Sequence, residues 1–102
     1  GRRIMLRSAI SWGYWPVTGL IATPEMAEKQ ITTAKQLGLN MLNFHRNIGT
    51  PVVLDKADEM GLLYYEEPGS FHSGTHDPFI RTILREKVFR MIKRDRVWLF
   101  II

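Results

Sequence analysis

Residues 23–51, TPEMAEKQITTAKQLGLNMLNFHRNIGTP, hold one complete structural unit and the start of the next. Thr23 stands before Pro24 as an N-cap residue before proline at the first helical position, where a missing N–H removes no helical bond. Ala27, Ile31, Ala34 and Gly38 then recur at helical spacing with Leu37 beside them, and Gly38 is placed to cap the C-terminus. Residues 39–44 follow as a short apolar run of strand length. The run turns polar at Asn43, His45 and Arg46 with no turn signal before the change. Thr50-Pro51 then restarts the helix chemistry.

The same punctuation recurs along the chain. Pro24, Pro51 and Pro78 each follow a capping residue (Thr23, Thr50, Asp77) and stand 27 residues apart (51 − 24 = 78 − 51). A repeat near 30 residues is the length of one strand–helix unit. After Pro51, the stripe Val53, Leu54, Ala57 and Met60 closes at Gly61. After Pro78, the stripe Ile80, Leu84, Val88, Met91 and Ile92 runs on to a helix end near Arg94. Apolar runs at 4–10, 39–44, 62–65 and 97–102 separate the helices and suit strands buried on both faces, as in a parallel sheet. The order is therefore β-α-β-α-β-α-β, four parallel strands and three helices joined by right-handed crossovers. An open doubly wound sheet and one half of a closed (β/α)8 TIM barrel both fit. A whole barrel needs about 250 residues, so the 102 residues could hold only its first half.

Composition narrows the function classes. Hydrophobic residues make up 45% of the chain, which is that of a globular domain. No cysteine is present, which removes disulfides and thiolate metal sites and leaves the compartment open between bacterial cytoplasm, periplasm and secretion. No apolar run reaches the ~20 residues that span a bilayer, so no membrane partner is expected. The net charge of +4 is spread along the chain apart from KRDR at 93–96, which contains Asp95 and lies at a helix C-terminus, where cations suit the helix dipole. No nucleic-acid partner is expected from it.

In either architecture the chemistry belongs at the carboxyl ends of the strands. SWGYWP (11–16) follows the first strand, NFHRN (43–47) the second and EEPGSFHSGTHD (66–77) the third. Aromatic rings, an imidazole, a guanidinium and carboxylates on one rim suit a polyhydroxylated ligand, with rings against its apolar face and charged groups on its hydroxyls. Trp12, Asn43, His45, Arg46 and Glu67 are the candidate binding residues. The tryptophans could equally plug the sheet end, and His45 could be structural. Glu66 and Glu67 are adjacent, so at a strand end they point to opposite faces. They cannot easily form the ~5 Å carboxylate pair of a retaining glycosidase. Glu67 is assigned to the rim, with Glu66 facing outward or paired with Arg46. His72, His76 and Asp77 invite a metal reading, but Gly74 separates the histidines and Asp77 is needed as a cap, so no metal is expected. No phosphate loop, dinucleotide fingerprint or nucleophile elbow occurs, and no cofactor is expected.

At these residues the chain resembles glycoside hydrolase family 2, the β-galactosidase, β-glucuronidase and β-mannosidase group. GRRIMLRSAISWGYWP resembles the family's first barrel strand, and AEKQITTAKQLGLNMLNFH its first helix and second strand. LDKADEMGLLYYEEP resembles the stretch that leads into its third strand, and RMIKRDR the segment before its fourth. The likeness runs in order over nearly the whole chain. Asn43 stands where the family carries an arginine, His45 matches the histidine of its Arg-x-His motif, and Arg46 has no firm counterpart. VWLF follows KRDR where the family has Asn-His-Pro-Ser.

The resemblance implies that residues 1–102 are the N-terminal half of a catalytic TIM barrel from a retaining β-glycosidase. The family's acid/base glutamate follows an asparagine at the end of strand four and its nucleophile lies on strand seven, so both are expected beyond Ile102. The substrate implied is a β-glycoside, bound but not cut by this chain alone. A binding module using the same rim is the alternative. A half-barrel would also expose the edges of its first and last strands, which favours self-association.

Overall fold

The computed structural model describes residues 1–69 and 76–95, together with the backbone of 100–101. Its elements are β1 (Ser8–Ile10), α1 (Pro24–Gln36), β2 (Met41–Phe44), α2 (Pro51–Met60), β3 (Leu63–Glu66), α3 (Pro78–Asp95) and β4 (Phe100–Ile101). This is a small α/β domain of alternating units. The sheet order is β1-β2-β3-β4, and every neighbouring pair is parallel. His72 and most of the expected fourth strand at 97–102 lie outside the described residues.

The punctuation in the sequence accounts for the helix ends. The Thr23 hydroxyl accepts the Met26 N–H at 3.3 Å, and Asp77 Oδ1 accepts the Phe79 N–H at 2.8 Å. Thr50 departs from the expectation. Its hydroxyl makes no capping bond, and the Thr50 carbonyl accepts from Val53 and Leu54 instead. Helices α1 and α2 close alike. Gly38 (φ 75°) and Gly61 (φ 70°) take the left-handed conformation, and the next amide returns to the last turn, Leu39 N–H to Ala34 and Leu62 N–H to Ala57. That reversal aims the chain back into β2 and β3, so one cap chemistry launches both strands.

Packing is one-sided. Ala27, Ile31 and Ala34 of α1 and Val53, Leu54 and Ala57 of α2 form one core with Leu42, Phe44 and Tyr64 of the sheet. Phe44 and Tyr64 stack with ring centroids 4.6 Å apart. Strands β2 and β3 alternate buried and half-buried residues along their length, and β1 is exposed throughout. The expectation of strands buried on both faces is therefore corrected. Among the described residues the helices cover one face of β2 and β3, so only every second side chain of those strands is enclosed.

Strand β1 is also shorter than the expected 4–10. Asn40 replaces the ladder there, accepting the Arg7 N–H at 2.8 Å and donating to the Met5 carbonyl at 2.9 Å. Helix α3 departs furthest from its sequence pattern. Of the expected stripe Ile80, Leu84, Val88, Met91 and Ile92, Met91 alone is buried.

Candidate functional site

The register sets which side chains share the uncovered face. Leu42 pairs with Tyr64 and Phe44 with Glu66 on the helix side. Ile10, Asn43 and Tyr65 form a row on the other. His45 and Glu67 continue that second face one step beyond the strand ends.

Two strand ends then turn by the same device. Trp12 lies two residues past β1 and Arg46 two residues past β2, and both are non-glycine residues at φ 59°. Such conformations cost about 1–2 kcal/mol each and persist where the surroundings fix them. Here they bring the two side chains together. The Trp12 and His45 rings meet edge to face at 4.5 Å, and the Arg46 guanidinium lies 5.7 Å from the Trp12 ring centre. At that distance the cation is favoured by the ring quadrupole.

Glu67 ties the group together. It accepts the Arg46 backbone N–H at 2.9 Å on Oε2, and the Asn43 amide at 3.3 Å on Oε1. His45 Nδ1 lies 3.3 Å from the same Oε1. Partial burial would raise the Glu67 carboxyl, but the bonds from Arg46, Asn43 and His45 outweigh it and hold the group below the usual carboxylate range. An ionised carboxylate only accepts, so Nδ1 must donate, and a neutral His45 then carries its acceptor at Nε2. Asn43 Oδ1 is buried with no hydrogen-bond partner among the described residues. All five sequence-predicted residues, Trp12, Asn43, His45, Arg46 and Glu67, therefore form one contiguous cluster. Trp12 remains 43% exposed, which leaves ring surface available to a ligand.

Other expectations resolve differently. Glu66 does not meet Arg46. It turns into the helix layer and is 2% exposed, with Arg94 at 3.7 Å and Asp95 nearby. Of the two described tryptophans Trp15 is the plug, 7% exposed and bridged to Gly19, whereas Tyr14 is exposed. His76 is exposed, and no group of three metal-ligating side chains converges among the described residues. Sequence reasoning missed Tyr65, which the strand alternation places beside Asn43. It also missed the link from Glu66 to Asp95, because Asp95 reads as part of a cationic run.

An apolar cavity of about 550 Å³ lies elsewhere, between β1 and α1, lined by Ala9, Trp15, Met26, Leu37 and Leu42 among others. Its walls are mainly apolar, with Lys29 as the charged group among them. The charged and aromatic chemistry gathers at the rim.

No family model matches the chain, and no curated protein or solved structure matches it either.

Proposed function

We propose that the chain is the first half of a (β/α)8 TIM barrel from a retaining β-glycosidase of the glycoside hydrolase family 2 type, and that it carries part of the sugar-binding rim. The observation that carries this reading is the convergence of Trp12, Asn43, His45, Arg46 and Glu67 at the carboxyl ends of consecutive parallel strands. Strand order favours a barrel over a doubly wound sheet. Right-handed crossovers place helices on both faces only where the order reverses. Here β1-β2-β3-β4 advances one way and the core helices share one face, as in an arc of a barrel wall. The open edges of β1 and β4 are where further strands would pair, from the rest of a barrel or from another copy.

In this reading the Trp12 ring packs against the apolar face of a sugar. His45 Nε2 and the Arg46 guanidinium bind its hydroxyls, and Glu67 holds both in place from behind. Retaining hydrolysis needs one carboxyl as acid/base and another as nucleophile, about 5 Å apart across the bond. Glu66 and Glu67 point to opposite sides of the sheet, and Glu67 has both oxygens engaged by protein groups. The two catalytic glutamates of the family type would come from strands outside these 102 residues.

The purified 102-residue chain should therefore release no chromophore from an aryl β-glycoside. Turnover that disappears in Glu67→Gln would overturn this assignment. The engagement of Glu67 by protein groups also favours a second reading, a non-catalytic module that binds glycosides at the same rim.

A further inference from the structure

Glu66 and Asp95 are the two buried acidic side chains among the described residues, 2% and 0% exposed, and they share one guanidinium. Arg94 donates through Nε and Nη2 to the two Asp95 oxygens, with Nη2 also 2.8 Å from the Gly49 carbonyl and 3.7 Å from Glu66 Oε2. Neither Glu66 oxygen is held by a well-aligned hydrogen bond, and its polar neighbours are Asp95, Arg94 and the Gly49 amide. The pocket around that carboxyl is closed by Gly49, where an added Cβ would stand 2.8 Å from Glu66 Oε1 and 2.7 Å from the Phe44 ring. With both acids ionised, this cluster holds two negative charges, both buried, against the one guanidinium they share.

The cluster is also an attachment point. Helix α3 buries only Met91 and Asp95 along its 18 residues. Arg94 and Asp95 thus join its last turn to the β2–α2 loop at Gly49 and to the end of β3 at Glu66. Glu67, the next residue, holds the rim.

We propose that Glu66 and Asp95 form a proton-operated latch, closed when Glu66 is protonated and loosened when it ionises, that fastens the end of α3 beside the rim. The groups acting on Glu66 are Asp95 and Arg94 from α3 and the Gly49 backbone from the β2–α2 loop. Burial and the Asp95 charge push the Glu66 carboxyl up to about 7, against smaller lowering by Arg94 and the Gly49 amide. A protonated Glu66 can donate to Asp95, which replaces a like-charge contact with a hydrogen bond. Because the folded value is raised, the stabilisation is fully present below the ordinary carboxylate range and is lost as pH rises through about 7. The latch is independent of which ligand the rim takes.

The test uses the intact 102-residue chain. The side-chain carboxyl carbon of Glu66 is followed by NMR from about pH 5 to about pH 8.5, alongside amide exchange protection in the last turn of α3, corrected for intrinsic rates. The expected result is a Glu66 midpoint near neutrality and a several-fold fall in α3 protection across the same interval. Glu66→Gln, a neutral mimic of the closed form, should keep protection high and nearly constant with pH. Asp95→Asn should move the Glu66 midpoint down. A midpoint in the ordinary carboxylate range overturns the latch. So does α3 protection that ignores the titration, or the wild-type pH response persisting in Glu66→Gln. If Asp95→Asn does not fold, the wild-type titration and Glu66→Gln decide the matter between them.

Discussion

Glu66 and Glu67 are neighbours with opposite electrostatic behaviour, and the strand pleat is the reason. One carboxyl enters the helix layer and is pushed up by burial and Asp95. The other stays at the rim, where three hydrogen bonds hold it down. Glu67→Gln keeps the shape but weakens the acceptor for Arg46, Asn43 and His45. The expected cost is about 1 kcal/mol after allowance for solvent screening, read from a urea midpoint at neutral pH. The sign with pH is opposite to that of Glu66. The Glu67 contribution is complete above the ordinary carboxylate range and is lost as pH falls through its lowered folded value. In Glu67→Gln the acid limb of the stability curve should flatten accordingly. An unchanged limb would mean that the three contacts do not stabilise the ionised form. Alternation alone separated these two residues in the sequence. The partner of Glu66 was not legible, because Arg94 and Asp95 lie 28 and 29 positions further on (94 − 66, 95 − 66) in a segment that reads as a solvated cationic end.

At the scale of elements, caps and helix-closing glycines made α1 and α2 legible, since each residue acts on its own few neighbours. Thr23 and Thr50 look equivalent as sequence, yet only Thr23 makes the side-chain bond. Thr23→Ala should cost about 1 kcal/mol, the usual value of a lost N-cap. Thr50→Ala should change stability by under about 0.5 kcal/mol, because the hydroxyl it removes is buried without a partner. Equal losses at the two positions in parallel denaturation curves would contradict that distinction. Helix α3 was legible as a helix but not as a packed one. Its apolar spacing predicts a core stripe, and periodicity cannot report whether a neighbouring element is present to cover it. The limited burial of Ile80, Leu84 and Val88 follows from that.

At the scale of the whole molecule, the sheet has one covered face and one open face, and the rim residues occupy the end of the open one. The strand–helix alternation was legible because length, capping and apolar runs agree at every step. One-sided burial was not, because an apolar strand looks the same whether one face or both are enclosed. The five rim residues were legible as polar and aromatic cargo following apolar strands. Their mutual geometry depends on left-handed conformations at Trp12 and Arg46 that no local signal announces. We propose that this cluster binds a glycoside. The most direct test is an NMR titration of the 102-residue chain with an alkyl β-glycoside, following the backbone amides, the Trp12 indole and the His45 ring. Saturable shifts are expected at Trp12, Asn43, His45 and Arg46, lost in Trp12→Ala. Shifts confined to the apolar cleft between β1 and α1, or none up to the solubility of the glycoside, would contradict it.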